Sequence, residues 1–140
     1  MSGEENKALA RRFYAVFNSG NSDELDYFVA ADYAQHSVGL PPGLPGVKMF
    51  MGMFRAAFPD ARLIVEDLLA DGDRVIGRWT VTGTQTGALQ GIPASGKAVN
   101  IGGIDIWRVA DGKLAEHWDN WDQMGMMQQI GAMPAPAQGG

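Results

Sequence analysis

Asp105, His117, Asp119 and Asp122 carry the chemistry a 140-residue chain without cysteine can offer in one place. Trp107, Trp118 and Trp121 lie between and beside them, three of the four tryptophans in the sequence. A carboxylate that loses hydration against aromatic walls holds its proton more tightly and can exchange it near neutral pH. A second carboxylate or a histidine beside it separates acid from base. Singly, each residue has an ordinary structural reading: Asp119 capping a terminal helix, His117 and Glu116 paired with arginines. As a group they point to acid/base chemistry in a small-molecule pocket. His117-x-Asp119 offers two metal ligands, but the other histidine, His36, is too distant in sequence to complete a cage, so no metal is expected. Neither a glycine-rich phosphate loop nor a nucleophile elbow is present.

The stretch that positions these residues reads as a β-hairpin. Gly103–Val109 leads into Ala110-Asp111-Gly112-Lys113, and Leu114–Asp119 returns; Asp-Gly between apolar runs is a strong hairpin signal. Strand alternation puts Ala115, His117 and Asp119 on one face, with Leu114, Glu116 and Trp118 on the other. It likewise separates Gly103, Asp105 and Trp107 from Ile104, Ile106 and Arg108. Asp105 is then a cross-strand or diagonal neighbour of His117 or Asp119, unless a bulge intervenes.

Earlier elements follow from periodicity. Glu4–Ser19 is an amphipathic helix with Leu9, Phe13, Val16 and Phe17 inward and Tyr14 beside that stripe; Gly20 stops it. Ser22 or Asp23 begins a short helix running to Ala30. Tyr33–Val38 is a short strand, with His36 pointing alongside Ala34 and Val38. Gly39–Gly46 is a Pro/Gly loop whose leucines suit a lid or a plug at the core edge. Gly46–Phe58 is a third helix, with Val47, Phe50, Met51 and Phe54 on one side. Period-two patterning then marks strands at Arg62–Ala70, Arg74–Gln85 and Lys97–Val109, before the hairpin adds a fourth. A short helix at Asp122–Ile130 follows. Residues 1–131 are expected to form one domain, and 132–140 a flexible tail.

The expected fold class is α+β: three N-terminal helices packed in a strongly curved antiparallel sheet, plus a short C-terminal helix. Gly77, Gly83, Gly102 and Gly103 allow the sheet to bend into a cone with a pocket at its mouth. The net charge of −5, with scattered basic residues, disfavours nucleic acid. No stretch reads as a signal peptide or a bilayer span, so the expected location is cytoplasmic.

Several segments carry a family resemblance. Phe58-Pro59-Asp60, Val65-Glu66-Asp67-Leu68, Asp71-Gly72-Asp73-Arg74-Val75, Gly83-Thr84-Gln85-Thr86-Gly87, Gly91–Lys97 and Gly103–Arg108 with Glu116–Asp119 resemble the SnoaL-like polyketide cyclase (ester cyclase) family. That family shares a cone-shaped superfamily with nuclear transport factor 2 and ketosteroid isomerase. The resemblance implies a cofactor-independent intramolecular aldol cyclisation, with Asp119 as general acid/base. It matches Asp105 to a position that is histidine in some cyclases. The Arg-x-Asp arrangement of limonene-epoxide hydrolases is absent, because Gly103 stands two residues before Asp105.

The expected catalytic residues are therefore Asp119, Asp105, His117 and, across the cavity, His36. The expected substrate walls are Tyr14, Phe50, Phe54, Trp79, Trp107 and Trp121. The expected partners are a small hydrophobic molecule and a second copy of the chain in a homodimer or higher homo-oligomer, with neither nucleic acid nor membrane. Another activity on the same cone (hydrolase, isomerase or dehydratase) and a non-catalytic binding protein remain the alternatives.

Overall fold

Ser2 and Glu5 start the chain's first helix by a reciprocal capping box, in which each side chain accepts from the other's backbone N–H. In the computed structural model, which describes residues 2–37 and 39–134, this helix α1 spans Gly3–Ser19. It ends at Gly20, whose φ of 80° is left-handed. A 3-10 helix (Ser22–Tyr27), strand β1 (Val29–Gln35) and helix α2 (Gly43–Ala57) come next. Strands β2 (Arg62–Asp71), β3 (Arg74–Thr84), β4 (Ala98–Ala110) and β5 (Lys113–Trp121) follow, and helix α3 (Gln123–Gln129) closes the order.

The strands form one curved, unclosed sheet in the order β1-β5-β4-β3-β2, with helices packed against it. The antiparallel run from β2 to β5 matches the sequence reading. Strand β1 does not: it adds to β5 in parallel and makes the sheet mixed. The segment expected to stay helical through Ala30 turns extended at Val29 instead, so that buried Val29 and Tyr33 join the core. That pairing bridges about eighty residues of chain, and local periodicity cannot show it. Helix α2 begins at Gly43, so Leu44 is buried in the core while Leu40 lies half-buried at the cavity.

Asp111 (φ 51°) and Gly112 (φ 74°) make the two-residue turn between β4 and β5. One β4–β5 bulge falls where the register shifts from Val109↔Leu114 to Arg108↔Glu116, leaving Ala115 as the extra residue. It allows both Leu114 and His117 to be buried, although strict alternation would separate them. On the inner face, Gly77 and Gly103 are gaps that other side chains fill. A Cβ on Gly77 would lie 2.2 Å from the Tyr14 hydroxyl oxygen, and one on Gly103 2.2 Å from the Trp79 ring. Glycine thus admits close approach as well as curvature.

The core lies between the inner face of the sheet and helices α1 and α2, with Phe13, Phe28, Phe58, Val75, Trp107 and Leu114 among its members. Ile64, Ile104 and Ile106 remain exposed on the outer face. Among the described residues no helix is long and apolar enough to cross a membrane. The expected end of the strand at Val38 and most of the expected tail, residues 135–140, lie outside the described residues.

Candidate active site

Register brings the acids together. Asp105 on β4 is the direct cross-strand partner of Asp119 on β5, and Trp107 pairs with His117. Opposite Asp105 on the other side stands Gly77. Its missing side chain leaves room for Tyr14 to reach across from α1, and the Tyr14 hydroxyl donates to Asp105 Oδ2 at 2.7 Å. The other carboxylate oxygen, Oδ1, lies 2.9 Å from His117 Nε2. Both side chains of this pair are almost fully buried.

Strand β1 completes the polar arrangement. Its parallel register sets Gln35 beside His117. His117 Nδ1 lies 2.7 Å from Gln35 Oε1, Gln35 Nε2 donates to Ser37 Oγ, and Ser37 Oγ donates to Asp119 Oδ1 at 2.7 Å. The second Asp119 oxygen has no hydrogen-bond partner among the described residues. Beneath the histidine, Trp107 donates from Nε1 to the Tyr33 hydroxyl at 3.1 Å. The Tyr33 and His117 rings stack with centroids 6.3 Å apart. Burial pushes both tyrosine hydroxyls well above their ordinary ionisation range; for Tyr14 the charge of Asp105 adds to it, and for Tyr33 burial outweighs the opposing Trp107 bond. Both therefore remain neutral donors.

These groups open into a cavity of about 260 Å³. Tyr14, Asp105, His117 and Asp119 form its polar side, and Phe50, Phe54, Trp79 and Trp121 its aromatic walls. Gly39, Gln90 and Gln123, all exposed, mark its mouth. A dry wall strengthens the electrostatics of the few polar groups it encloses. Ligand atoms of Asp105, His117 and Asp119 lie within 4.8 Å of one another, close enough for a cation. Both His117 nitrogens and both Asp105 oxygens already hold partners, however, so coordination would dismantle the network.

Two expected site residues lie elsewhere. His36 is on the outer face, not across the cavity: its Nε2 meets Glu116 Oε2 at 2.7 Å and its ring stacks on Trp118. The parity of the segment decides this, because Gln35 and Ser37 take the inward positions on either side of it. Arg108, then His36, holds the Glu116 carboxyl below its usual range. Trp107 is fully buried behind His117 and lines no part of the cavity. Asp122 takes the helix-start role, accepting from the Gly125 N–H at 2.9 Å. Gln35 and Ser37 are the residues the sequence reading missed. Their one signal was being the polar neighbours of His36 with opposite parity.

Comparison with known proteins identifies the family and the fold. The sequence profile of the family described as SnoaL-like polyketide cyclase matches residues 7–130. A nogalonic acid methyl ester cyclase of Streptomyces nogalater is 27% identical over 121 residues, 84% of this chain and 90% of that protein. An aklanonic acid methyl ester cyclase of Streptomyces peucetius is 28% identical over 128 residues, 88% of each chain. Among solved structures, TsrD of Streptomyces laurentii superimposes with a TM-score of 0.87 at 32% identity, over 95% of this chain and 99% of that one.

Proposed function

The chain belongs to the SnoaL-like polyketide cyclase family, and from that premise we propose that it closes a ring in a polyketide methyl ester by intramolecular aldol addition. The carrying observation is the pairing of Asp119 with Asp105 across β4 and β5, both open to one aromatic-walled cavity. The methyl ester substrates named for its relatives are of the right chemistry. A carbon between a ketone and an ester carbonyl is acidic enough for a carboxylate to deprotonate when both are held in a dry site.

Asp119 is the base. One of its oxygens is oriented by Ser37 and the other is unpartnered among the described residues. It takes the proton from the acidified carbon. The resulting enolate carbon attacks a carbonyl carbon of the same molecule, forming the C–C bond and an alkoxide. The Asp105–His117 pair, on the same wall, supplies the proton to that alkoxide. No atom is gained or lost, and the product is an isomer of the substrate. Tyr14 holds Asp105 from behind, and Trp79, Trp121, Phe50 and Phe54 hold the flat rings of the substrate. The unreacted part of a larger ring system projects towards the mouth at Gln90 and Gln123.

The test is incubation with nogalonic acid methyl ester and with aklanonic acid methyl ester, the compounds named for its relatives, followed by chromatography and mass measurement. The expected result is a new species of unchanged mass, formed at a rate proportional to enzyme. Recovery of unaltered ester after prolonged incubation, or a product of changed mass, refutes the assignment.

A further inference from the structure

The polar groups of the site make a continuous chain: Tyr14–Asp105–His117–Gln35–Ser37–Asp119. Each of its five contacts needs one hydrogen. Tyr14 and Ser37 supply one each. A neutral imidazole supplies one. The Gln35 amide supplies one, because its nitrogen faces either His117 or Ser37 but not both. That makes four. The fifth must be an additional proton, on the Asp105–His117 pair or on Asp119.

The direction of the bridge decides which. With Gln35 Oε1 towards His117, as in the structure, His117 Nδ1 is a donor and Ser37 donates to an ionised Asp119. The additional proton then lies between Asp105 and His117. With the amide reversed, every bond in the bridge reverses. Gln35 donates to His117 Nδ1, Ser37 donates to Gln35, and a protonated Asp119 donates to Ser37. His117 then donates from Nε2 to an ionised Asp105, and the additional proton is on Asp119.

We propose that Gln35 and Ser37 are positioning residues that tie the protonation of Asp119 to that of the Asp105–His117 pair, so that gain of a proton at one end favours its release at the other. This rests on the reading of Asp119 as the base of the proposed cyclisation. Ring closure needs a base first and an acid afterwards. The bridge favours that succession: once Asp119 has gained the carbon-bound proton, six hydrogens compete for five contacts, and transfer of one from the Asp105–His117 pair to the alkoxide restores the count. Between turnovers, proton loss from Asp119 to solvent and uptake by the pair restore the starting state. The other titratable groups facing the bridge are Tyr14 from α1 and Tyr33 from β1, both kept neutral by burial. Helix α2, strand β3 and helix α3 present Phe50, Met51, Trp79, Val81, Gln123 and Met126 there, none of which titrates.

The test follows the His117 ring nitrogens by 15N NMR at neutral pH, without substrate, in the wild-type protein and in Asp119→Asn, whose amide N–H can donate to Ser37 as a protonated Asp119 would. His117 Nδ1 is expected to be protonated in the wild-type protein and unprotonated in Asp119→Asn. Ser37→Ala is expected to abolish that difference and Ser37→Thr to preserve it. In turnover, Ser37→Ala is expected to lower kcat about ten- to a hundredfold, with a changed pH profile and little change in KM. A His117 signal that is the same in Asp119→Asn and the wild-type protein overturns the proposal, as does a difference that survives in Ser37→Ala. Because the NMR arm needs no turnover, coupling without cyclisation refutes only the cyclase reading. Cyclisation without coupling refutes only the bridge.

Discussion

Gly77→Ala places a methyl group where the site has no room for one. Its Cβ would stand 2.2 Å from the Tyr14 hydroxyl oxygen, 3.0 Å from Cζ and 3.1 Å from Cε2. Restoring even a 3.0 Å contact moves the hydroxyl by about 0.8 Å. The ring cannot swing freely, since it packs edge-on against Trp107 with centroids 5.4 Å apart. A shift of that size opens the 2.7 Å bond to Asp105 beyond hydrogen-bonding range. Overpacking costs about 1–3 kcal/mol, and loss of a hydrogen bond to a buried charged group about 1.5–3 kcal/mol. The combined loss of about 3–5 kcal/mol lowers Tm by ~10 °C for a domain of this size. In a Tyr14→Phe background the bond is already gone and the nearest remaining contacts are with the ring, so the same substitution costs only about 1 kcal/mol. Urea denaturation of the four proteins, followed by tryptophan fluorescence, measures the coupling, expected at about 2–4 kcal/mol. Additivity of the two substitutions, or a Gly77→Ala protein as stable as wild type, refutes the claim that the glycine exists to admit the tyrosine.

Three other outcomes are expected. Stability should fall as pH rises above about 10, because the unfolded chain ionises Tyr14 and Tyr33 while the folded one does not; each contributes about 1.4 kcal/mol per pH unit there. Below that pH the contribution is fully present, and urea midpoints between pH 8 and 12 in wild type and Tyr14→Phe should show a shallower alkaline slope in the variant. His36→Ala should leave turnover within about twofold of wild type, because the ring stacks on Trp118 outside the cavity; a large loss of kcat would return His36 to the site. Gly103→Ala should push the Trp79 ring, 2.2 Å from the new Cβ, into the cavity and raise KM more than it lowers kcat; steady-state kinetics on both parameters checks this.

The sequence revealed the site's strand half better than its β1 half. Asp-Gly at 111–112, alternating apolar residues and the spacing of Asp105 from Asp119 are local signals, and they placed both acids on one face. His117 was legible only because the bulge at Ala115 left its parity with Asp119 intact. Gln35 and Ser37 were not legible. Their inward direction depends on β1 pairing in parallel with β5, and that pairing is set by tertiary packing rather than by periodicity. Histidine drew the choice of face in that segment, whereas buried hydrogen-bonding capacity decided it. Trp107 misled for a related reason. An aromatic residue on the face of the acids was read as pocket wall, but it lies deeper than His117 and satisfies its N–H on Tyr33. Among the glycines, sequence suggested curvature, while the inner face shows two of them serving close approach as well.

The central claim is that Asp119 removes the proton whose loss starts ring closure. Single-turnover cyclisation of nogalonic or aklanonic acid methyl ester by Asp119→Asn, with folding confirmed by circular dichroism, tests it most directly. The amide keeps the size of the side chain and its contact with Ser37 but cannot act as a base. The account predicts a rate about a hundred- to ten-thousandfold below wild type, with ligand binding retained. A folded Asp119→Asn protein that closes the ring at the wild-type rate would contradict it.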